Sequence, residues 1–331
     1  MPSFTVYKGS KGGIVKSTTT KPDDLHGDQV IVRITASGLC GTDLHYQHAD
    51  MVLGHEGVGV VEAIGPDVKV IKKGDRVGWG YQTDSCGLCI QCLRGHETYC
   101  SGRTLYGYGN TDQGSFASHG VWREAFLHKI PDNLSDEAAA PLQCGGATVF
   151  AALQGITAAE TVGIMGVGGL GHLAIQFAAK LGCRVVVLSG SNSKRDDATK
   201  LGAHKFIALK NDEKLDEGWA LDRLLVTTSA QPEWEKILPM MSPTSTIYPL
   251  SVSSGNLEIP YMPLIAQGIN IQGSLVAARA VHREMLTFAS LHHIEPVIQT
   301  FPLNEEGITQ SLERLSKGDV KYRGVLIPPK A

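Results

Sequence analysis

Thr161-Val162-Gly163-Ile164-Met165-Gly166-Val167-Gly168-Gly169-Leu170-Gly171 joins a short apolar run to a Gly-x-Gly-x-x-Gly turn, and His172 to Leu181 continues with helical periodicity. Glycines in this spacing also mark ordinary turns. A strand before them and a helix after them is the context that identifies a dinucleotide-binding fingerprint. Gly166, Gly168, Gly169, Leu170 and Gly171 then form a turn whose backbone amides, at the start of a helix, receive a pyrophosphate.

Outward from this turn, a second strand is expected at Arg184 to Leu188, a helix at Lys194 to Leu201, and further strands at Leu224 to Thr227 and Thr246 to Leu250. Alternating strands and helices imply a parallel, doubly wound sheet. Upstream the texture differs. The first 130 residues read as short strands between glycine turns, among them Gln29 to Ser37, Gly57 to Ile64 and Arg76 to Trp79. Ser135 can cap a short helix over Asp136 to Ala140 that Pro141 closes, with a domain junction near Cys144. From about Val281 a helix, a second helix near Glu306 to Leu315 and a strand at Tyr322 to Ile327 return the chain to the first domain.

An NAD site usually carries an acidic residue about 20 residues beyond the glycines to hold the ribose 2′-hydroxyl. Here Ser189 stands at that strand end, followed by Gly190-Ser191-Asn192-Ser193-Lys194-Arg195. A carboxylate would repel an adenosine 2′-phosphate, whereas Ser189, Ser191 and Lys194 or Arg195 offer hydroxyls and a cation to it. NADP(H) is therefore preferred over NAD(H).

Four of the seven cysteines lie at one spacing, Cys86-x2-Cys89-x2-Cys92-x7-Cys100. Four soft ligands suit the tetrahedral preference of a closed zinc site. An iron–sulfur cluster begins with the same spacing but continues with three residues and a Cys-Pro pair, and here seven residues intervene and Ser101 follows. His96 sits within the loop and reads as an exposed loop residue. Of the remaining three, Cys183 reads as a buried, inert thiol. Cys40 lies in Gly38-Leu39-Cys40-Gly41-Thr42-Asp43-Leu44-His45, His55 and Glu56 follow fifteen residues later, and Cys144 precedes Gly145-Gly146. Spacing alone does not join Cys144 to a site a hundred residues away.

A chain of 331 residues, 42% hydrophobic and 19% charged, has material for about two domains with their own cores and is not a disordered chain. A formal net charge of -3 leaves no basic footprint for nucleic acid or an anionic membrane, and a small-molecule substrate fits better. The start, Met1 to Lys8, has no long apolar core and no later run is long enough to span a bilayer, so a cytoplasmic protein is expected.

Taken together, Gly38-x-Cys40-Gly41-Thr42-Asp43-x-x-His45, Gly54-His55-Glu56, the four-cysteine run, Cys144-Gly145-Gly146-x-Thr148, the Gly166 to Gly171 turn and the ending Gly318 to Arg323 resemble the medium-chain zinc-dependent alcohol dehydrogenases, closest to the cinnamyl-alcohol dehydrogenase branch. The match covers nearly the whole length in the family's order. It implies an α/β protein: a GroES-like β-rich catalytic domain over residues 1–145 and 277–331, carrying a structural zinc lobe, and a Rossmann domain over residues 146–276.

The resemblance implies that Cys40, His55 and Cys144 bind a catalytic zinc, with Glu56 as an alternate ligand, while Cys86, Cys89, Cys92 and Cys100 bind a structural one, two Zn2+ per chain. Asp43 would orient the zinc-bound histidine. Thr42 and His45 match the family's proton relay, and imidazole titrates close enough to neutrality for that task. Thr148, Ser251, Leu275 and Arg323 match positions near the nicotinamide or pyrophosphate. Tyr46, Trp79 and Tyr106 are candidates for the substrate pocket, and relatives form homodimers.

The segment between His45 and His55 is several residues shorter than in most relatives, which assigns Tyr46 and His48 a different pocket role. Gly190 also replaces a side chain that often assists 2′-phosphate binding. The reading is a zinc-dependent, NADP(H)-preferring alcohol dehydrogenase or aldehyde reductase. Two rivals are a reductase of a conjugated C=C or iminium on the same fold, which Thr42 and His45 disfavour, and a non-catalytic nucleotide-binding zinc or redox sensor, which two complete metal sets disfavour.

Overall fold

Thr161–Met165 is a strand with its first four residues buried, as expected where helices cover both faces of a parallel sheet. The computed structural model describes residues 1–211, 213, 215–216, 218–253 and 255–329. The chain divides into two units, Thr148–Leu275 on the one hand and Met1–Ala147 with Val276–Ala331 on the other.

In the first of these, six parallel strands lie in the order Lys205–Ala208, Arg184–Ser189, Thr161–Met165, Leu221–Val226, Met241–Pro249 and Asn270–Ile271. Numbered along the chain this is 3-2-1-4-5-6, the Rossmann order. Its crevice lies at the carboxyl ends of the two strands flanking the reversal, Thr161–Met165 and Leu221–Val226. The glycine turn leaves the first of them and leads into helix Gly171–Lys180, whose buried residues include Leu173, Ile175 and Phe177. Val186, Leu188, Leu224, Val226 and Ile247 fill the core of the unit.

In the other unit, Gln29–Leu39 is the central strand. It pairs antiparallel with Glu56–Ile64, with His119–Arg123 and with the C-terminal strand Arg323–Ile327. Their registers set Gly38 opposite both Glu56 and Val325. Residues distant in sequence therefore meet where the central strand ends at Leu39, immediately before Cys40. Val30, Val32, Ile34, Val61, Val77 and Trp79 pack beneath this sheet.

One expected boundary is corrected. Ser135 caps helix Asp136–Pro141 by accepting from the Ala138 amide at 3.1 Å, but Pro141 does not end the helical path. Proline forfeits one backbone donor, and the chain carries on by widening into a π-helical turn over Leu142–Gly146 before helix Ala147–Ala152. Among the described residues no helix is long and apolar enough to cross a membrane.

Candidate functional site

Cys40 follows the central strand and caps helix Gly41–Tyr46 in extended geometry. The first turn of that helix presents Asp43, which is fully buried and accepts the Cys40 amide through Oδ2 at 2.9 Å. Its other oxygen accepts the Tyr106 hydroxyl at 3.0 Å and lies 3.2 Å from His55 Nδ1. A carboxylate there fixes the proton on Nδ1 and turns the Nε2 lone pair inward. The Tyr106 hydroxyl in turn accepts the Gly54 amide at 2.9 Å, which holds the backbone just before His55.

Ligand atoms of Cys40, His55, Glu56 and Cys144 all lie within 4.8 Å of one another. Cys144 reaches them from the π-helical turn. His55 Nε2 is buried and has no hydrogen-bond partner among the described residues. Two sulfurs and an orphaned imidazole nitrogen are the donor set that zinc accepts while keeping a position open, so these residues fit that ion. The electrostatics agree. A hydrogen bond from Cys144 holds the Cys40 thiol well below the usual thiol range, while the same bond and burial push Cys144 up. Burial opposes a charged His55 ring, yet the Asp43 carboxylate outweighs it and raises its pKa well above the ordinary value. A cation entering the cluster would replace protons that these groups already attract.

Glu56 and Arg323 form a buried ion pair beside the sulfurs, with Arg323 Nη2 donating to both carboxylate oxygens. Burial pushes Glu56 up to about 7 against the pull of the guanidinium. Arg323, expected by resemblance at the nucleotide, is thus placed against Glu56, because the pairing of Gly324 with Leu39 sets it next to Cys40. Replacing Arg323 with leucine leaves the Glu56 carboxylate buried without a counter-charge, and is expected to cost about 3–5 kcal/mol of stability. Adding Glu56→Gln should return much of that loss. Denaturant unfolding of the single and double variants checks this, and an Arg323→Leu chain as stable as wild type would refute it.

Thr42 Oγ1 lies 3.6 Å from Cys40 Sγ, and His45, one turn further along the same short helix, is exposed. Thr42 and His45 are therefore neighbours at i and i+3. His48 lies 3.3 Å from the Ser10 carbonyl through Nδ1, a tie to the N-terminal hairpin. Of the pocket candidates, Trp79 is only 1% exposed and packs on Trp122 at 4.9 Å, which assigns it to the core. Tyr106 is occupied by Asp43 and Gly54, and Tyr46 stands edge-on to it at 5.4 Å. Tyr81, which the sequence did not single out, sets its ring edge-to-face with His55 at 5.5 Å.

Cys86, Cys89, Cys92 and Cys100 form the second cluster, with neighbouring sulfurs 3.5 to 3.9 Å apart. Backbone amides of Leu88 and Cys89 pull the Cys86 thiol down to about 6, which favours the thiolate that zinc requires. The Gly102 amide points at Cys100 Sγ at 3.3 Å. His96 is exposed and stands outside the cluster. Glu97 moors this lobe: its Oε1 accepts both the backbone amide and Nε of Arg279, at 2.8 and 3.0 Å. Cys183 is 2% exposed, and burial pushes its thiol up to about 11.

In the nucleotide unit, Gly166 adopts φ +96°, and a side chain at Gly171 would place Cβ 2.0 Å from the Gly166 carbonyl oxygen. Only glycine allows the turn to close this tightly. Nothing approaches the missing Cβ of Gly168 within 4 Å, which leaves its backbone open to a ligand, and Gly169 and Leu170 complete the lead into the helix. Lys194 Nζ donates to the Val167 carbonyl at 2.7 Å, so this cation reaches the turn. Ser189 ends its strand half-buried, and Ser191 Oγ is 3.0 Å from Ser193 Oγ.

Arg195, the alternative phosphate partner, is already engaged by Glu213 at 2.9 Å and by Asn192. Lys210 was not foreseen, and its Cε lies 3.9 Å from where a Gly190 Cβ would be. Thr148 is buried in helix Ala147–Ala152, while Ser251 and Leu275 are half-buried, one just past strand Met241–Pro249 and the other at the unit's last position.

Two family models match the chain, the alcohol dehydrogenase GroES-like domain over residues 26–132 and the zinc-binding dehydrogenase over residues 169–290. An alcohol dehydrogenase of Geobacillus stearothermophilus is 34% identical over 92% of this chain and 94% of its own length. An NADP-dependent alcohol dehydrogenase C of Mycolicibacterium smegmatis is 34% identical over 95% of this chain and 94% of its own. Among solved structures, a cinnamyl alcohol dehydrogenase of Sorghum bicolor is similar with a TM-score of 0.89 and 31% identity, covering 98% of both chains. With its cysteine–histidine cluster at the end of a GroES-like strand and its glycine turn in a Rossmann sheet, the chain belongs to the medium-chain alcohol dehydrogenase family, in its cinnamyl-alcohol-dehydrogenase-like branch.

Proposed function

We propose that this protein is a zinc-dependent, NADP(H)-preferring alcohol dehydrogenase or aldehyde reductase that moves a hydride between the nicotinamide and a small primary alcohol or aldehyde. The observation that carries the reading is the convergence of Cys40, His55 and Cys144, with His55 Nε2 buried and unpartnered among the described residues. Zinc held by those three residues, with Glu56 in reserve, supplies a Lewis acid for the substrate oxygen. Asp43 holds His55 in the ligating tautomer, and Tyr106 holds Asp43. Thr42 gives the product oxygen its proton, and His45, exposed on the same helix, restores that proton from solvent.

The turn Gly166 to Gly171 takes the pyrophosphate on its amides, with Thr148, Ser251 and Leu275 toward the nicotinamide end. Ser189, Ser191 and Lys194 take the 2′-phosphate. The Mycolicibacterium relative, NADP-dependent by its name, supports this preference. A second zinc in the four-cysteine lobe is structural, since four thiolates leave no position for substrate.

A homodimer through the nucleotide unit is the expected assembly: edge strand Asn270–Ile271 is exposed, and Tyr261, Met262 and Ile265 present a contiguous apolar face on the helix before it. The test of the whole reading is steady-state kinetics on zinc-loaded protein with an aldehyde panel and both cofactors. Higher kcat/KM with NADPH is expected, and Lys194→Ala should lower that value roughly 10- to 100-fold while sparing NADH, the size of one charge-assisted hydrogen bond. Better use of NADH by the wild type would overturn the cofactor preference, and no turnover with any aldehyde would overturn the enzyme.

A further inference from the structure

Beside Cys144 the chain places a residue with no role in the chemistry described so far. Gln143 is 1% exposed, the second residue of the π-helical turn Leu142–Gly146. Its backbone and side chain both press on glycine. A Cβ at Gly80 would stand 2.3 Å from the Gln143 carbonyl oxygen, and one at Gly78 would stand 2.5 Å from its Cδ. The side chain is polar at both ends and both are used. Gln143 Nε2 donates to the Ala139 carbonyl at 3.0 Å, which makes Oε1 the acceptor, and His282 Nε2 lies 3.0 Å from Oε1.

His282 is itself buried and fixed. It sits in the first turn of helix Arg279–His292, whose start is moored to Glu97 by two hydrogen bonds, and its ring stacks on His128 at 3.9 Å and 23°. Burial, and then the neighbouring Arg283, bring the His282 pKa down to about 3, so the ring is neutral and carries its proton on Nε2 toward Gln143. Burial lowers His128 well below the usual range as well. A buried amide in an apolar turn is costly unless satisfied, so this hydrogen bond has one permitted geometry. A π-helical turn has weaker internal restraint than an α-helix, and such turns recur at functional sites.

We propose that Gln143 and His282 are positioning residues for the reacting metal site, their hydrogen bond locking the π-helical turn so that Cys144 Sγ meets Cys40 and His55. The inference rests on the zinc reading of that cluster. It also explains why helix Arg279–His292 is tied at its start to the four-cysteine lobe: the same helix braces one metal site and is braced by the other.

The experiment compares wild type with Gln143→Leu, His282→Leu, the double variant and His282→Gln, which keeps an N–H at similar reach. Each chain is loaded with Co(II). Its sulfur-to-cobalt absorption and the rates of metal release from both clusters into a chelator are then read, without reference to turnover. The expected result is release from the Cys40 cluster roughly 10- to 100-fold faster in both leucine variants, the usual size of an outer-sphere effect on metal affinity. The double variant should be no worse than either single one, His282→Gln should sit near wild type, and the four-cysteine lobe should be unchanged.

Leucine variants with wild-type release and spectrum would overturn the proposal. So would equal acceleration at both clusters, which signals general loosening of the fold, or additive losses in the double variant. Should a leucine variant not fold, His282→Gln decides: release unlike wild type, with the lobe unchanged, overturns the rescue, and release like wild type supports it. Wild-type protein that takes no metal at Cys40, His55 and Cys144 would instead defeat the zinc reading itself.

Discussion

Cys144→Ala is expected to reduce the zinc content from two ions per chain to one and to lower kcat/KM for aldehyde reduction at least about 10³-fold. The size follows from what the ion supplies: Lewis-acid polarisation is worth several kcal/mol, and each 1.36 kcal/mol is a factor of ten in rate. The substitution removes one of the two sulfurs while leaving Cys40, His55 and Asp43 in place, and two remaining ligands with Glu56 tied to Arg323 make a poor cage. Stability should change little, because alanine in place of a buried thiol leaves only a small void among helix-forming neighbours. Metal analysis, steady-state kinetics and thermal unfolding of the same preparation check the three parts. Wild-type turnover in this variant would show that the chemistry does not run through these ligands.

Much of this architecture is legible in the chain because it is local. Residues 161–181 announce strand, turn and helix through apolar runs and glycine, and the structure forms Thr161–Met165 and Gly171–Lys180. The ligand types are equally visible, since cysteine and histidine in short motifs are conspicuous. What local pattern does not carry is which distant strands pair. Cys40 meets Arg323 because Gly324 lies opposite Leu39, a registration across the whole chain that no window of sequence contains.

The same limit explains the one corrected boundary and the contacts that local pattern does not show. Pro141 is a sound stop signal for a regular helix, but it does not reveal that the chain can widen into a π-helical turn and continue. Arg195 and Lys194 are adjacent and both cationic. That Arg195 meets Glu213 while Lys194 reaches the Val167 carbonyl of the glycine turn is a matter of packing that adjacency in sequence does not show. Tyr106 reads as a pocket aromatic from its residue type, and its hydroxyl on Asp43 is a contact that no local pattern shows. One signal was present and unused: a glutamine within Ala138 to Leu142 and Cys144, an otherwise apolar helical run, needs a buried partner, and His282 is that partner from 139 residues away.

The lobe should fail differently from the reacting site. Cys100→Ala is expected to lose the lobe's zinc and lower the thermal midpoint by at least about 10 °C, since each kcal/mol moves a domain of this size by roughly 2–4 °C. Apart from the Glu97 mooring, apolar packing in the segment is sparse. Leu88, Ile90 and Leu93 are exposed, and the only helices within it are the single turns Ile90–Leu93 and Glu97–Tyr99. Burial of apolar surface therefore contributes little, and on the proposed zinc reading metal binding would carry the order; in isolated zinc-finger peptides that term reaches about 10–16 kcal/mol. The loss should also spread, because Glu97 is held three residues from Cys100 and anchors the start of helix Arg279–His292. Limited proteolysis should then cut between Asp84 and Arg103 in the variant and leave wild type intact. An unchanged midpoint and digestion pattern would mean that the Glu97 mooring, rather than four thiolates around an ion, gives the lobe its shape.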